Sequence, residues 1–200
     1  MNEKLIKYLE SLELEEISED RRAVLRPLKY FIKTQPKASL NFICTHNSRR
    51  SQFAQAWALV AAKYFDFEIL SFSGGVEVTA CNPRTVAAMR RAGLEFSVKD
   101  ENANPHYLLQ LSGGESSLEL FSKLYDDAVN PKTEFAAVMT CSHADENCPF
   151  IPGALARIAL NYEDPKAFDD SPKEAEAYDT RCRQIATEMF YVFKNLKDGE

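Results

Sequence analysis

The segment Leu40-Asn41-Phe42-Ile43 places three large apolar side chains in four positions and ends at Cys44; a polar stretch, 45–50, follows, and then an apolar-rich run from Ser51 to Phe65 containing Trp57. The short run reads as a buried strand and the long one as a buried helix. A buried strand feeding a buried helix is half of a parallel α/β unit, because parallel neighbours need a crossover between them. The alternation continues. Glu68 to Phe72 reads as a second strand closing at Gly74-Gly75, and Asn82-Pro83 caps and opens a helix running to Gly93. Phe135 to Thr140 and Arg157 to Leu160 read as further strands, and Ser171-Pro172-Lys173-Glu174 has the form of a capping box opening a long helix to about Leu196.

Two regions fall outside this alternation. Residues 1–37 read as an N-terminal helical extension: Leu5, Tyr8, Leu9 and Leu12 recur at helical spacing, Ser18-Glu19-Asp20 has the form of a helix start, and Val24, Leu25, Leu28, Phe31 and Ile32 make an apolar stripe. Pro27 within that stripe predicts a kink or a break. Residues 38–200 then form one domain, with an insertion at about 102–134 in which Tyr107–Leu111 and Ser117–Phe121 flank Ser112-Gly113-Gly114-Glu115 as a hairpin would.

An apolar fraction of 45% in 200 residues supports a sizeable core. The net charge of −6 argues against nucleic acid as a partner. No apolar run is long enough to span a bilayer, and Met1-Asn2-Glu3-Lys4 opens a mixed-charge segment without a signal-peptide core, so no membrane partner and a cytoplasmic location are expected. Five cysteines in such a chain are then reactive, metal-binding or buried rather than a disulfide framework.

The turn Cys44-Thr45-His46-Asn47-Ser48-Arg49-Arg50-Ser51 carries the chemistry. Between a strand end and a helix start, consecutive backbone N–H groups converge on one point, backed by the positive end of the helix dipole. An oxyanion fits there, bound by the 45–51 backbone and by Thr45, His46, Asn47, Ser48, Arg49, Arg50 and Ser51. Cys44 faces the same point with its thiolate favoured by those donors and by Arg50, whose guanidinium can fork two anion oxygens. Ser51 can donate to the sulfur. The plain alternative is a buried structural cysteine before a basic helix start.

With these residues in view, Phe42 to Gln52 resembles the phosphate loop of low-molecular-weight protein tyrosine phosphatases, and still more that of their relatives, the thioredoxin-coupled arsenate reductases. The resemblance covers about residues 39–196 apart from the insertion. It implies a flavodoxin-like four-stranded parallel sheet with helices on both faces. His46 stands where the family usually has Gly, Arg49 where the reductases often have Cys, and Gln55 where a Glu helps hold potassium in the reductases, so no metal is assigned.

Cys141-Ser142-His143-Ala144-Asp145-Glu146-Asn147-Cys148-Pro149 follows the strand 135–140. In the implied fold that strand lies beside the first, and ligands bind at the C-terminal strand ends, which brings Cys141 toward Cys44. A thiol there can attack an adduct on Cys44, and Cys148 can then attack Cys141. Two buried cysteines, or a zinc site of Cys141, His143 and Cys148, are the alternatives from the residues alone. The segment resembles the redox-cysteine segment of arsenate reductases, which separates reductase from phosphatase. Asn161-Tyr162-Glu163-Asp164-Pro165 follows the next strand, and its Asp-Pro resembles that of both families, where the Asp is the general acid. The residues Lys166-Ala167 stand where the phosphatases commonly have aromatic ones.

The resemblance therefore implies an arsenate reductase in which Cys44, Arg50, Asp164, Cys141 and Cys148 are catalytic, with no bound cofactor and with reducing equivalents from thioredoxin or a similar thiol donor. A tyrosine phosphatase acting through phosphocysteine is the first alternative. A non-catalytic module binding an anion or a partner is the second.

Overall fold

The computed structural model describes residues 1–100, 102–112, 115–148 and 150–199. The parallel sheet consists of β1 (Ala38–Cys44), β2 (Ile69–Gly75), β6 (Phe135–Met139) and β7 (Ala154–Ala159), in the order β2-β1-β6-β7 with every pair parallel. β1 is central and buried along its whole length, as an apolar strand covered on both faces should be. Its alternate side chains serve two cores. Leu40 and Phe42, with Ala136 and Val138 of β6, join the main core under the helices; Ile43, with Phe135, Ala137 and Met139, joins a smaller one on the opposite face, closed by Ala144 and Ile151.

The helices are α1 (Glu3–Leu12), α2 (Glu19–Thr34), α3 (Arg50–Tyr64), α4 (Pro83–Arg91), α5 (Ser142–Asn147) and α6 (Glu174–Asp198). Asn2, Ser18 and Asn82 cap α1, α2 and α4 through their side-chain oxygens. Leu5, Leu9 and Leu12 of α1 and Leu25, Leu28, Phe31 and Ile32 of α2 are buried in the same core as Phe53, Trp57 and Phe193, and Tyr8 stacks on Trp57 with ring centroids 5.4 Å apart. Pro27, expected to kink or break its helix, leaves α2 continuous from Glu19 to Thr34. Apolar contacts on both sides of Pro27 hold the axis where one backbone bond is missing. Among the described residues, no helix is long and apolar enough to cross a membrane.

Two further expectations need correction. The insertion is more than a hairpin: β4 (His106–Ser112) and β5 (Glu115–Leu120) pair antiparallel as expected, but β3 (Glu95–Asp100) adds a third strand on the far edge of β4. The expected turn glycines, Gly113 and Gly114, lie outside the described residues. The α6 helix begins at Glu174, not at Ser171: a 3-10 turn, Pro165–Phe168, comes first, and Glu174 accepts from the Asp170 N–H while Ser171 turns its hydroxyl to Phe168 O. Between Cys141 and Cys148, residues 142–147 form the short helix α5.

Because α1 belongs to the main core, Leu9→Ala should lower the unfolding free energy by about 3 kcal/mol, as measured by urea denaturation of the full chain. A loss below about 0.5 kcal/mol would show that α1 is a loosely attached appendage.

Candidate active site

β1 ends at Cys44 and α3 begins at Arg50, and the residues between them form a ring whose carbonyls are held from outside. The Cys44 and Thr45 carbonyls accept from Val76 N–H at 3.2 and 2.8 Å, and Thr45 also accepts from Glu77 N–H. The His46 carbonyl accepts from the Ser122 hydroxyl (2.8 Å) and the Thr79 hydroxyl (3.2 Å). The Asn47 carbonyl accepts from Gln52 Nε2 (2.8 Å), and the Ser48 carbonyl from Asn82 N–H (3.0 Å) and the Thr85 hydroxyl (3.3 Å). Among the described residues no peptide bond is cis, and in a trans peptide the next N–H points opposite to the carbonyl. The amides of Thr45 to Arg49 are thereby turned away from this shell, giving a concavity of N–H groups of the kind that binds anions. Asn47 turns the ring at φ 47°, a conformation Asn tolerates better than most residues. Gly75 lies so close that a Cβ on it would meet Asn47 N and Thr45 O at 2.8 Å.

Cys44 is buried, with Sγ 3.1 Å from Ser51 Oγ. That hydroxyl accepts from Asn47 Nδ2 at 2.8 Å, which leaves its own proton for the sulfur. Arg50 donates to Asp164 Oδ2 at 2.7 Å and to the Tyr162 carbonyl at 3.1 Å, while its Nε is buried without a partner. Arg50 and Asp164, read from separate motifs, thus stand side by side.

Arg49 has another task. Its Nε donates to the Tyr178 hydroxyl at 2.7 Å and its Nη2 to Asp169 at 3.2 Å, tying the ring to α6. The His46 ring is partly exposed, with Nε2 3.4 Å from Glu77 Oε2.

Thr45 Oγ1 lies 3.5 Å from Cys141 Sγ and 3.3 Å from His143 Nδ1, so the second thiol abuts the residue that follows Cys44. Cys141 also caps α5, its sulfur accepting from Ala144 N–H at 3.4 Å. The contact of His143 with Thr45 depends on how α5 docks, which residue spacing does not show. Cys148 sits at the opposite, C-terminal end of α5 and is partly exposed. Burial holds its thiol above the ordinary value, the Arg157 guanidinium opposes that rise, and Cys141 adds to it. Among the described residues, no group of three or more His, Cys, Asp or Glu is assembled to hold a metal. Gln55 does not fit a potassium ion either: its Nε2 donates to the Ser71 carbonyl and its Oε1 accepts from Ser73, so it brings no carboxylate and directs a donor at a carbonyl a cation would use.

The loop that carries Asp164 is braced from the N-terminal helices. Arg21 of α2 grips Glu188 of α6 with two hydrogen bonds (2.9 and 2.7 Å) and donates to the Asn161 carbonyl at 3.2 Å. Glu188 is buried and also accepts from the Tyr162 hydroxyl at 2.7 Å, while Tyr162 offers its carbonyl to Arg50. These partners are far apart in the chain, and no local pattern announces them.

No family model matches the chain. An arsenate reductase 2 of Staphylococcus epidermidis is 31% identical over 129 residues, covering 64% of this chain and 79% of that protein. An arsenate reductase of Brevibacillus brevis is 30% identical over 152 residues, 75% of this chain and 95% of that one. In fold, the chain resembles a YwlE mutant from Bacillus subtilis (TM-score 0.52, 14% identity, 80% of this chain and 99% of that one). It also resembles a low-molecular-weight phosphotyrosine phosphatase from Vibrio cholerae (TM-score 0.52, 12% identity, 81% and 98%).

Beneath the ring lies a buried amine. Lys123 donates its backbone N–H to Asn47 Oδ1, and its Nζ sits 4.3 Å from the centroid of the Phe121 ring. Burial lowers its pKa to about 8, and burial pushes the nearby Cys81 thiol up to about 12. The folded value of Lys123 lies below the ordinary lysine value of 10.5, so the folded state binds fewer protons between those values and stability from this group rises with pH across about 8 to 10.5. Lys123→Met should therefore be more stable than wild type at pH 7, by roughly 3 kcal/mol, and the advantage should shrink by pH 10. Urea unfolding at both pH values checks this; an advantage unchanged with pH would contradict it.

Proposed function

The chain belongs to the family of arsenate reductases related to low-molecular-weight tyrosine phosphatases, and from that premise we propose that it reduces arsenate to arsenite with Cys44 as nucleophile and Cys141 and Cys148 as the electron-donating pair. The observation that carries the reading is the contact of Cys141 Sγ with Thr45 Oγ1, which sets a second thiol against the nucleophile's own loop.

The ring amides and Arg50 hold the oxyanion. The Cys44 thiolate attacks arsenic, Asp164 gives its proton to the departing oxygen, and water leaves. Cys141 then attacks Cys44 Sγ. A sulfur–sulfur bond forms, the sulfur–arsenic bond breaks, and its electron pair stays on arsenic, which leaves as arsenite. Cys148 attacks Cys141 Sγ and frees Cys44. This last step needs movement. Cys141 and Cys148 flank α5, which places their Cα atoms roughly 10 Å apart at 1.5 Å per residue, whereas a disulfide spans no more than about 7 Å. α5 must unwind at least in part. A thioredoxin-like dithiol then reduces the Cys141–Cys148 disulfide, in keeping with the position of Cys148 at the exposed end of α5.

Phosphate shares the shape of arsenate, so slow phosphate-ester hydrolysis through Cys44, Arg50 and Asp164 should accompany the main reaction. That side reaction needs neither Cys141 nor Cys148.

With arsenate, thioredoxin, thioredoxin reductase and NADPH, wild-type protein should oxidise NADPH continuously. Cys44→Ser, Cys141→Ser and Cys148→Ser should each cut the rate by at least about 100-fold, and Asp164→Asn by about 10²–10⁴-fold. Turnover untouched by Cys141→Ser or Cys148→Ser would refute the mechanism, and ester hydrolysis alone would identify a phosphatase. Because the Cys148 thiol is held above its ordinary value, single-turnover release of Cys44 as a free thiol should keep quickening as pH rises beyond the range in which an ordinary thiol has already ionised.

A further inference from the structure

Arg157, on β7, belongs to none of the motifs described above, yet it closes the far end of the redox helix. Its Nε donates to the Cys148 carbonyl at 3.0 Å, its Nη2 donates to the Asp145 carbonyl, and the same Nη2 pairs with Asp145 Oδ1 at 2.6 Å. Asn161 Nδ2 holds the other Asp145 oxygen at 3.1 Å. The last carbonyls of a helix have no partners within it and favour a cation. In α5 those carbonyls, together with an acidic side chain on the same helix, converge on one guanidinium that a strand holds in place. The Arg157 and Asp145 side chains are 28% and 21% exposed, and a partly shielded ion pair is screened less than one at the open surface.

We propose that Arg157 is the positioning residue of the second thiol step: it latches α5 in its wound form and so stabilises the Cys141/Cys148 dithiol over the disulfide. This rests on the reading of Cys141 and Cys148 as a redox pair. Oxidising the pair removes two electrons and two protons and forms one S–S bond, and the approach of the sulfurs requires α5 to unwind. The Asp145 and Cys148 carbonyls and the Asp145 carboxylate cannot all stay on Arg157 when it does. The latch therefore acts on the reduced state alone. It keeps Cys148 at arm's length until Cys141 has been consumed by Cys44, and it favours return to the dithiol after the external donor has acted.

The test is equilibration of the full-length protein with mixtures of reduced and oxidised glutathione. The Cys141–Cys148 disulfide is quantified by peptide mass mapping, and amide hydrogen exchange is followed over 142–148. Arg157→Gln should raise the equilibrium constant for disulfide formation about tenfold, equivalent to a potential about 30 mV more negative, and should speed exchange in 144–148 while leaving β1 and β6 unchanged. Arg157→Lys, which keeps the charge but not the fork, should fall between, and Asp145→Asn should shift the constant in the same direction by a smaller factor. An equilibrium constant within twofold of wild type in both Arg157→Gln and Asp145→Asn overturns the latch while leaving the redox pair intact. If wild-type Cys141 and Cys148 do not pair at any glutathione ratio, the redox reading itself fails and the latch falls with it.

Discussion

The architecture depends on the outward grip on the carbonyls from Cys44 to Ser48. A chain leaving a strand and entering a helix within a few residues has no reason of its own to turn every carbonyl one way. The surroundings impose it: Val76 and Glu77 beyond β2, Thr79, Asn82 and Thr85 at the approach to α4, Ser122 after β5 and Gln52 in α3 each supply a donor. Other features follow from that grip. Gly75 lacks a side chain because the ring lies against its backbone. The segment after the inserted sheet passes beneath the ring, where Ser122 donates to His46 and Lys123 to Asn47. Asn47 is both the bend and the brace, with its side chain bonded to Ser51 and to Lys123.

The parts of the fold that were legible in the sequence are those in which local pattern and tertiary demand coincide. Leu40 to Ile43, Phe135 to Thr140 and the Asn82-Pro83 cap read correctly because a buried parallel strand and a capped helix leave marks within a few residues. β3 was missed because Glu95–Asp100 is a short, mostly exposed edge strand whose alternation rests on two apolar residues, Phe96 and Val98. Pro27 misled because propensity describes an isolated helix, and α2 is held by its buried face. Ser171 misled because Glu174 found a different partner, the Asp170 amide.

Within the site, the ring residues, Cys141 and Asp164 were legible because sheet order fixes which strand ends meet: β6 beside β1 carries Cys141 to Thr45, and β7 beside β6 leads into the turn whose Asp164 pairs with Arg50. The supporting contacts were not. Arg49 reads as an anion ligand in any list of loop residues, yet its guanidinium goes to Tyr178 and Asp169 on the far side of the chain. The brace from Arg21 through Glu188 to Tyr162 joins three distant segments that have no motif in common. Side-chain commitments of this kind depend on which charged partner arrives nearest, and that is a property of packing rather than of spacing.

In the proposed reaction, the charge balance of the site explains how a chain of net charge −6 would hold an oxyanion. Its two ring arginines are already matched, Arg49 by Asp169 and Arg50 by Asp164, so the formal charge next to Cys44 is close to zero. The attraction left is that of amide dipoles, which carry no net charge, do not titrate and act over a short range where water is excluded. Such a site gains little from long-range steering, so its affinity should depend only weakly on ionic strength. It selects by shape, admitting a tetrahedral oxyanion that fits inside the ring. In the proposed reaction Arg50 has two anionic claimants, Asp164 and the substrate, and its Nε, without a partner among the described residues, is a donor to spare for the second while Arg50 keeps hold of the first.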